Sequence, residues 1–205
     1  MIRHPRNQLG ALVWLVLACS PFVQAAPLSI AQLSTAQLSI AQLMAVLAQH
    51  PQGAATFTEK KTLAILEQPL ESSGELLFVA PARLEKRTLR PKVETMVLDG
   101  DTLTLERGKR KHVLQLKDHP EVAGMIESIR GTLAGDRRAL ERVYTLTLTG
   151  DLERWTLLLV PLDPRVGNVI SRIQIDGARD EVRSVEILQA DGDSSVMRIK
   201  KTGAP

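Results

Sequence analysis

The stretch "GELLFVAPARLEKRTLRPKVETMVLDGDTLTLERG", residues 74–108, decides the fold class because its apolar residues alternate. Leu76 and Phe78 fall on one face of a strand and Met96 and Leu98 on one face of another. Leu103 and Leu105 alternate with Thr102, Thr104 and Glu106. A period of two is that of a pleated strand, so one face of the sheet is apolar and the other polar. Taken alone, such an apolar face is ordinary core covered by a second layer. Pro81 and Pro91 bracket one strand and stop it extending, since proline cannot donate to a ladder. Asp99-Gly100 lies between two runs and favours the positive dihedrals of a tight hairpin turn.

Outward from this stretch the pattern continues. Strands are expected near 55–66, 74–80, 83–89, 93–98, 102–107 and 111–116, and again near 143–150, 154–160, 169–175, 182–189 and 195–201. Asp176-Gly177 and Asp191-Gly192 repeat the hairpin signal. Many consecutive hairpins imply an antiparallel meander. The cover is helical. In "DHPEVAGMIESIRGTLAGD", 118–136, Asp118 or His119 caps the start, Pro120 suits the first turn and Glu121 the positive end. Val122, Met125, Ile126, Ile129 and Leu133 share one face. Gly124, Gly131 and Gly135 interrupt it, each costing about 1 kcal/mol relative to alanine. That reads either as a cover loose enough to open or as a lightly constrained helix.

Before the first strand, "LSIAQLSTAQLSIAQLMAVLAQ", 28–49, repeats a pentapeptide. Leucines five apart advance about 140° per step on a helix and make no stripe. The early copies are therefore a loosely ordered lead-in. In the last copy Ser39 and Gln42 form a capping box, and Ile40, Leu43, Met44 and Leu47 share a face, so a helix begins near Ser39. Residues 1–25 have the three-part plan of a secretory signal peptide: Arg3 and Arg6, the apolar run 9–18, and small residues before a cleavage after Ala25. A rival reading takes "VLAC" as a loose lipobox and anchors the chain through Cys19. The expected organisation is signal peptide 1–25, repeat-rich lead-in 26–38 and a single domain 39–205.

Cleavage leaves 180 residues with 24 basic and 23 acidic side chains, a net charge of +1. That balance, with few aromatics for base stacking, argues against nucleic-acid binding. Cys19 is the only cysteine, so the cleaved chain has no disulfide and depends on burial for stability. Chemical motifs are sparse. His112 and His119 lack the cysteines or carboxylates of a zinc set, and His50 stands apart. "DGDSS", 191–195, lacks the remainder of a calcium loop and reads as a turn. "ERGKRKH", 106–112, is a basic hairpin tip, either solvated or touching anionic headgroups or a partner. No nucleophile elbow or phosphate loop is present, and neither enzyme activity nor a cofactor is expected.

The stretch 55–103 resembles the LolA family of periplasmic lipoprotein carriers. The resemblance rests on Phe57 followed by a polar residue and Glu59, on Ser73-Gly74 opening a G-x-L-x-F strand, and on Pro81, Leu84, Pro91 and Asp99-Gly100 in order. "WTLLLVP" and "IQIDGARDEVRSVEILQADGDSSVMRI" resemble the family's last strands. It implies an α+β fold, an incomplete antiparallel barrel whose concave apolar face is closed by helices. It further implies a periplasmic location in a Gram-negative bacterium and a monomer. The cargo would be a lipoprotein or other acylated lipid, passed from an inner-membrane donor to an outer-membrane acceptor. The implied lipid-binding residues are Phe57, Leu76, Phe78, Leu84, Met96, Leu98, Leu103, Leu105, Leu116, Met125, Ile129 and Leu133. The flexible Met96 and Met125 suit an adaptable lining.

Two positions depart from the family pattern. Ala80 stands where those carriers place an arginine that holds the helical lid, and Lys86 replaces an aromatic residue. Arg83 lies two residues past Pro81 and is not assumed to substitute. The expectation is thus a LolA-related paralogue carrying a lipoprotein or another lipid-like molecule. A lipid-sensing or protein-interaction module on the same half-barrel is the alternative. A hydrolase would need a buried polar pair opening into the cavity, and none is expected.

Overall fold

The computed structural model describes residues 38–202. The expected signal peptide, the Cys19 anchor and the repeat copies before residue 38 lie outside the described residues. Helix α1 (Ile40–Leu47) starts at Ser39, whose hydroxyl accepts from the Gln42 backbone N–H while the Gln42 side chain accepts from the Ser39 backbone N–H. Eleven strands follow: β1 (Gln52–Thr62), β2 (Leu70–Val79), β3 (Arg83–Arg90), β4 (Glu94–Asp99), β5 (Thr102–Arg107), β6 (Arg110–Gln115), β7 (Tyr144–Gly150), β8 (Trp155–Pro161), β9 (Ile170–Ala178), β10 (Glu181–Gln189) and β11 (Ser194–Lys201). A 3-10 turn over Leu116–Asp118, then α2 (Pro120–Ala134) and α3 (Arg137–Val143), divide β6 from β7, and the single turn α4 (Pro164–Gly167) divides β8 from β9.

All pairings are antiparallel, and the spatial order is β6-β5-β4-β3-β2-β1-β11-β10-β9-β8-β7. The two meanders are those expected. They are joined by β1 on β11, with Phe57 opposite Ile199 and Glu59 opposite Met197. The sheet is not closed into a barrel, as a half-barrel requires.

Local chemistry accounts for most turns. Gly100, Gly108 and Gly192 sit at positive φ in the β4–β5, β5–β6 and β10–β11 turns. Asp176-Gly177 is a correction: it lies inside β9, and the following turn is made at Arg179, whose φ is +54°. Gly177 is glycine because of packing, since a Cβ there would come 2.1 Å from Trp155 Cζ2. Strand β1 also ends earlier than expected. Ala64 N–H donates to Asp193 Oδ1 at 2.8 Å, and Leu66 N–H to the Leu63 carbonyl at 2.9 Å, turning the chain into the hairpin loop.

Two apolar clusters fill the concave side. The larger joins α1, α3 and β7–β10 through Leu43, Met44, Leu140, Tyr144, Trp155, Leu157, Ile173 and Ile175. The smaller joins Leu98, Leu103 and Leu116 to Ile126. Helix α2 serves both: Met125 and Ile129 pack on the larger, Val122 and Ile126 on the smaller.

The glycines of α2 set how closely it packs. A Cβ at Gly124 would lie 2.9 Å from both Val166 methyls, and one at Gly131 2.8 Å from Leu140 Cδ2. These positions let α4 and α3 approach the helix closely. Gly135, at φ +65°, is the left-handed residue that ends α2. The start of α2 is His119, which makes no side-chain cap.

Candidate functional site

Alternation places Ala55, Phe57, Glu59 and Lys61 of β1 on the concave face, and the register aligns them with inward residues on both sides. Ala55 is opposite Leu76, Leu76 opposite Lys86, and Lys86 opposite Met96. On the other side Met197 is opposite Val185, and Ser195 opposite Ile187. Helix α2 lies across this surface. Between them is a cavity of about 420 Å³, within the roughly 300–1,000 Å³ usual for ligand pockets.

Of the residues expected to bind lipid, Leu76, Phe78, Leu84, Met96, Met125, Ile129 and Leu133 line this cavity. Phe57, Leu98, Leu103, Leu105 and Leu116 are not among its lining residues. Leu98, Leu103 and Leu116 are fully buried in the smaller cluster, with Leu105 packed against them. Phe57 is buried beneath another side chain. Sequence reasoning missed the opposite wall, Val182, Val185, Ile187, Met197 and Ile199. Alternation in "EVRSVEILQ" and "SSVMRIKK" carries that signal, but only the pairing of β11 with β1 directs those faces at the same space.

The wall is apolar except at its ends. At one end Lys86 extends across the ring of Phe57, its Nζ 4.8 Å from the ring centre, and reaches Glu59 Oε2 at 2.6 Å. Gly74 makes this possible: a Cβ there would be 1.9 Å from the Arg87 carbonyl and 3.0 Å from the Phe57 ring. Glu59 Oε1 accepts from Ser195 Oγ at 2.8 Å and Oε2 from Ser72 Oγ at 3.3 Å. The side chains are 14% and 22% exposed for Glu59 and Lys86. Burial alone would push the Glu59 carboxyl up, but Lys86, Ser195 and Lys61 outweigh it and hold the pKa below the usual carboxylate range.

The pair is half-buried and lines the cavity, where no buried polar pair was expected. Its chemistry is that of a satisfied ion pair. Both Glu59 oxygens already accept hydrogen bonds, so the carboxylate is not poised as a general base. At the opposite end Asp180 binds His50 Nε2 at 2.9 Å and Lys201 Nζ at 3.3 Å. His119 stands 3.6 Å from Glu121, and His112 is exposed on β6.

The cover is fastened from both the sheet and the helix. The Tyr144 hydroxyl donates to the Gly124 carbonyl at 2.7 Å. Burial pushes that phenol far up, so it remains a donor. Arg130 Nη1 donates to the Gly100 carbonyl at 3.3 Å, linking α2 to the β4–β5 turn. Thus an arginine on the helix bonds a sheet turn, whereas Ala80 offers no such group from the sheet.

A family model described as "Outer membrane lipoprotein carrier protein LolA-like" matches residues 32–204. No curated protein matches the chain. Among solved structures, a LolA superfamily protein from Nitrosomonas europaea is 11% identical with a TM-score of 0.41, over 82% of this chain and 96% of that one. A putative outer membrane lipoprotein-sorting protein domain from Vibrio parahaemolyticus is 12% identical at 0.43, over 81% and 92%. The Pseudomonas aeruginosa MucA/MucB complex matches at 16% and 0.45, over 81% of this chain and 58% of that one.

Proposed function

This chain belongs to the LolA-like family of outer membrane lipoprotein carrier proteins, a non-enzymatic fold that binds lipids or lipoproteins, and on that premise we propose that it is a periplasmic carrier. It takes acyl chains of lipoproteins or related lipids into the cavity beneath α2 and ferries them from the inner to the outer membrane. The observation that carries this reading is the cavity itself, apolar along Phe78, Met96, Met125, Ile129, Val185 and Ile199 and covered by a helix.

Energetics favour such a device. Hiding a long acyl chain from water is worth on the order of 10 kcal/mol, at about 0.8 kcal/mol per methylene. A carrier must recover much of this and still release its load. A wall of flexible methionines and aliphatic side chains does so without demanding one shape. The donor and acceptor are membrane-bound partners at either end of the route, and the carrier works as a monomer.

The test is native mass spectrometry of the protein purified from periplasm, followed by extraction and identification of any bound molecule. A bound acyl species that is lost in Met96→Glu and Ile129→Glu supports the reading. Both variants place a carboxylate in the apolar wall. Retained uptake in both would remove the cavity assignment. An empty protein that keeps a protein partner, with binding altered by added lipid, would favour a sensor.

A further inference from the structure

One group of cavity residues has no task in holding an acyl chain. Lys61 lies on the concave face of β1 two residues beyond Glu59, half-buried, and lines the cavity. Its ammonium makes no ion pair or side-chain hydrogen bond among the described residues, though Glu59 feels its charge. Ser195 faces it across the β1–β11 pairing, and Lys86 and Thr88 line the same cavity. Glu59 is shared with Lys86, and Glu94, the other carboxylate on this part of the wall, receives Arg107 Nε at 2.6 Å. Glu85 pairs with Arg83 and Arg87, while Asp180 and Glu181 stand at the far end with Lys201. With Glu59 paired to Lys86, Glu94 to Arg107 and Glu85 to Arg83 and Arg87, Lys61 is left as the lining cation here without an ion-pair partner among the described residues.

A partly buried ammonium without a counter-ion is unfavourable, and an ion pair set into an apolar wall gives little stability of its own. Both features make sense if a ligand completes the set. We propose that this end of the cavity receives the anionic head, carboxylate or phosphate, of an acyl-chain cargo. Lys61 and Lys86 supply the charged donors, with Thr88 on the same wall, and the tail runs along Phe78, Met96, Met125 and Ile129. Glu59 holds Lys86 over Phe57 when the site is empty and shares it when the head arrives. The inference rests on the carrier reading and narrows its cargo.

The purified full chain is loaded with N-phenyl-1-naphthylamine, an uncharged dye that fluoresces in apolar sites. The dye is then displaced by laurate, dodecyl phosphate or dodecanol. We expect at least one of the anions to bind about tenfold more tightly than the alcohol, as one or two charge-assisted hydrogen bonds provide. The gap should narrow with added salt. Lys61→Met should close most of it while leaving dodecanol affinity unchanged, which also reports that the variant is folded. Glu59→Gln/Lys86→Met serves as the second variant and should close it too. Laurate against dodecyl phosphate separates carboxylate from phosphate. Equal affinity for the alcohol and both anions, or a gap that survives in both variants, overturns the anionic head and leaves the acyl cavity standing. A dye that does not bind, together with no binding of any amphiphile, removes the carrier reading itself.

Discussion

Replacing Lys86 with methionine tests what the ion pair costs the fold. The substitution keeps an apolar stem over the Phe57 ring and removes only the ammonium 2.6 Å from Glu59 Oε2. Breaking a fully buried pair costs roughly 3–5 kcal/mol, while an exposed pair is worth about 0.2–1 kcal/mol. Here the side chains are 14% and 22% exposed, so the loss should be about 2 kcal/mol at pH 7. That corresponds to a fall in Tm of about 4–8 °C for a chain of this size. The double variant Glu59→Gln/Lys86→Met should recover most of the loss, because it leaves no uncompensated carboxylate. The sign of the pH dependence follows from Glu59. Its native pKa is held below the ordinary glutamate value, so its stabilisation is present above that ordinary value and is lost as pH falls through the native value. Without Lys86 the carboxyl titrates higher than in the native protein, so the variant's deficit is largest at neutral pH and shrinks on acidification. Urea melts at pH 7 and near pH 4.5 measure both. A double variant as unstable as Lys86→Met, or a deficit indifferent to pH, would refute the reasoning and assign the loss to packing on Phe57.

Tyr144→Phe removes the donor to the Gly124 carbonyl and should cost about 1–3 kcal/mol, read by urea denaturation. Hydrogen exchange in α2 should rise with it; unchanged exchange would mean the bond does not hold the cover. Gly124→Val drives side-chain carbon into Val166 and should destabilise by about 1–3 kcal/mol in thermal melts, whereas a looser cover would accept it without loss. Gly177→Ala should be worse than Gly192→Ala when their Tm values are compared. The first meets Trp155 at 2.1 Å, and the second meets only an unfavourable φ of +93° in open space. Equal Tm losses would contradict the account of Gly177 as a packing requirement.

The strands, the two meanders, the Ser39 capping box and the Gly100 and Gly192 turns were legible because each depends on residues a few positions apart. Backbone dihedral preferences and the pleat act at that range, and no distant partner is needed to express them. The register sets Phe57, Glu59 and Lys61 of β1 on one face and fixes what they meet. The pairing of β1 with β11 joins residues about as far apart as Phe57 and Ile199, and it brings the Met197 and Val185 wall to the cavity. Asp176-Gly177 carried a turn signal that lost to the indole of Trp155. The α2 glycines looked like weak points until α3 and α4 were set against them. In each case a local preference worth about 1 kcal/mol yields to a steric contact or a long-range pairing worth more. Sequence therefore determined the elements and their apolar faces. Tertiary structure alone decided which faces enclose a cavity, and where within it Glu59 and Lys86 pair while Lys61 has no ion-pair partner among the described residues.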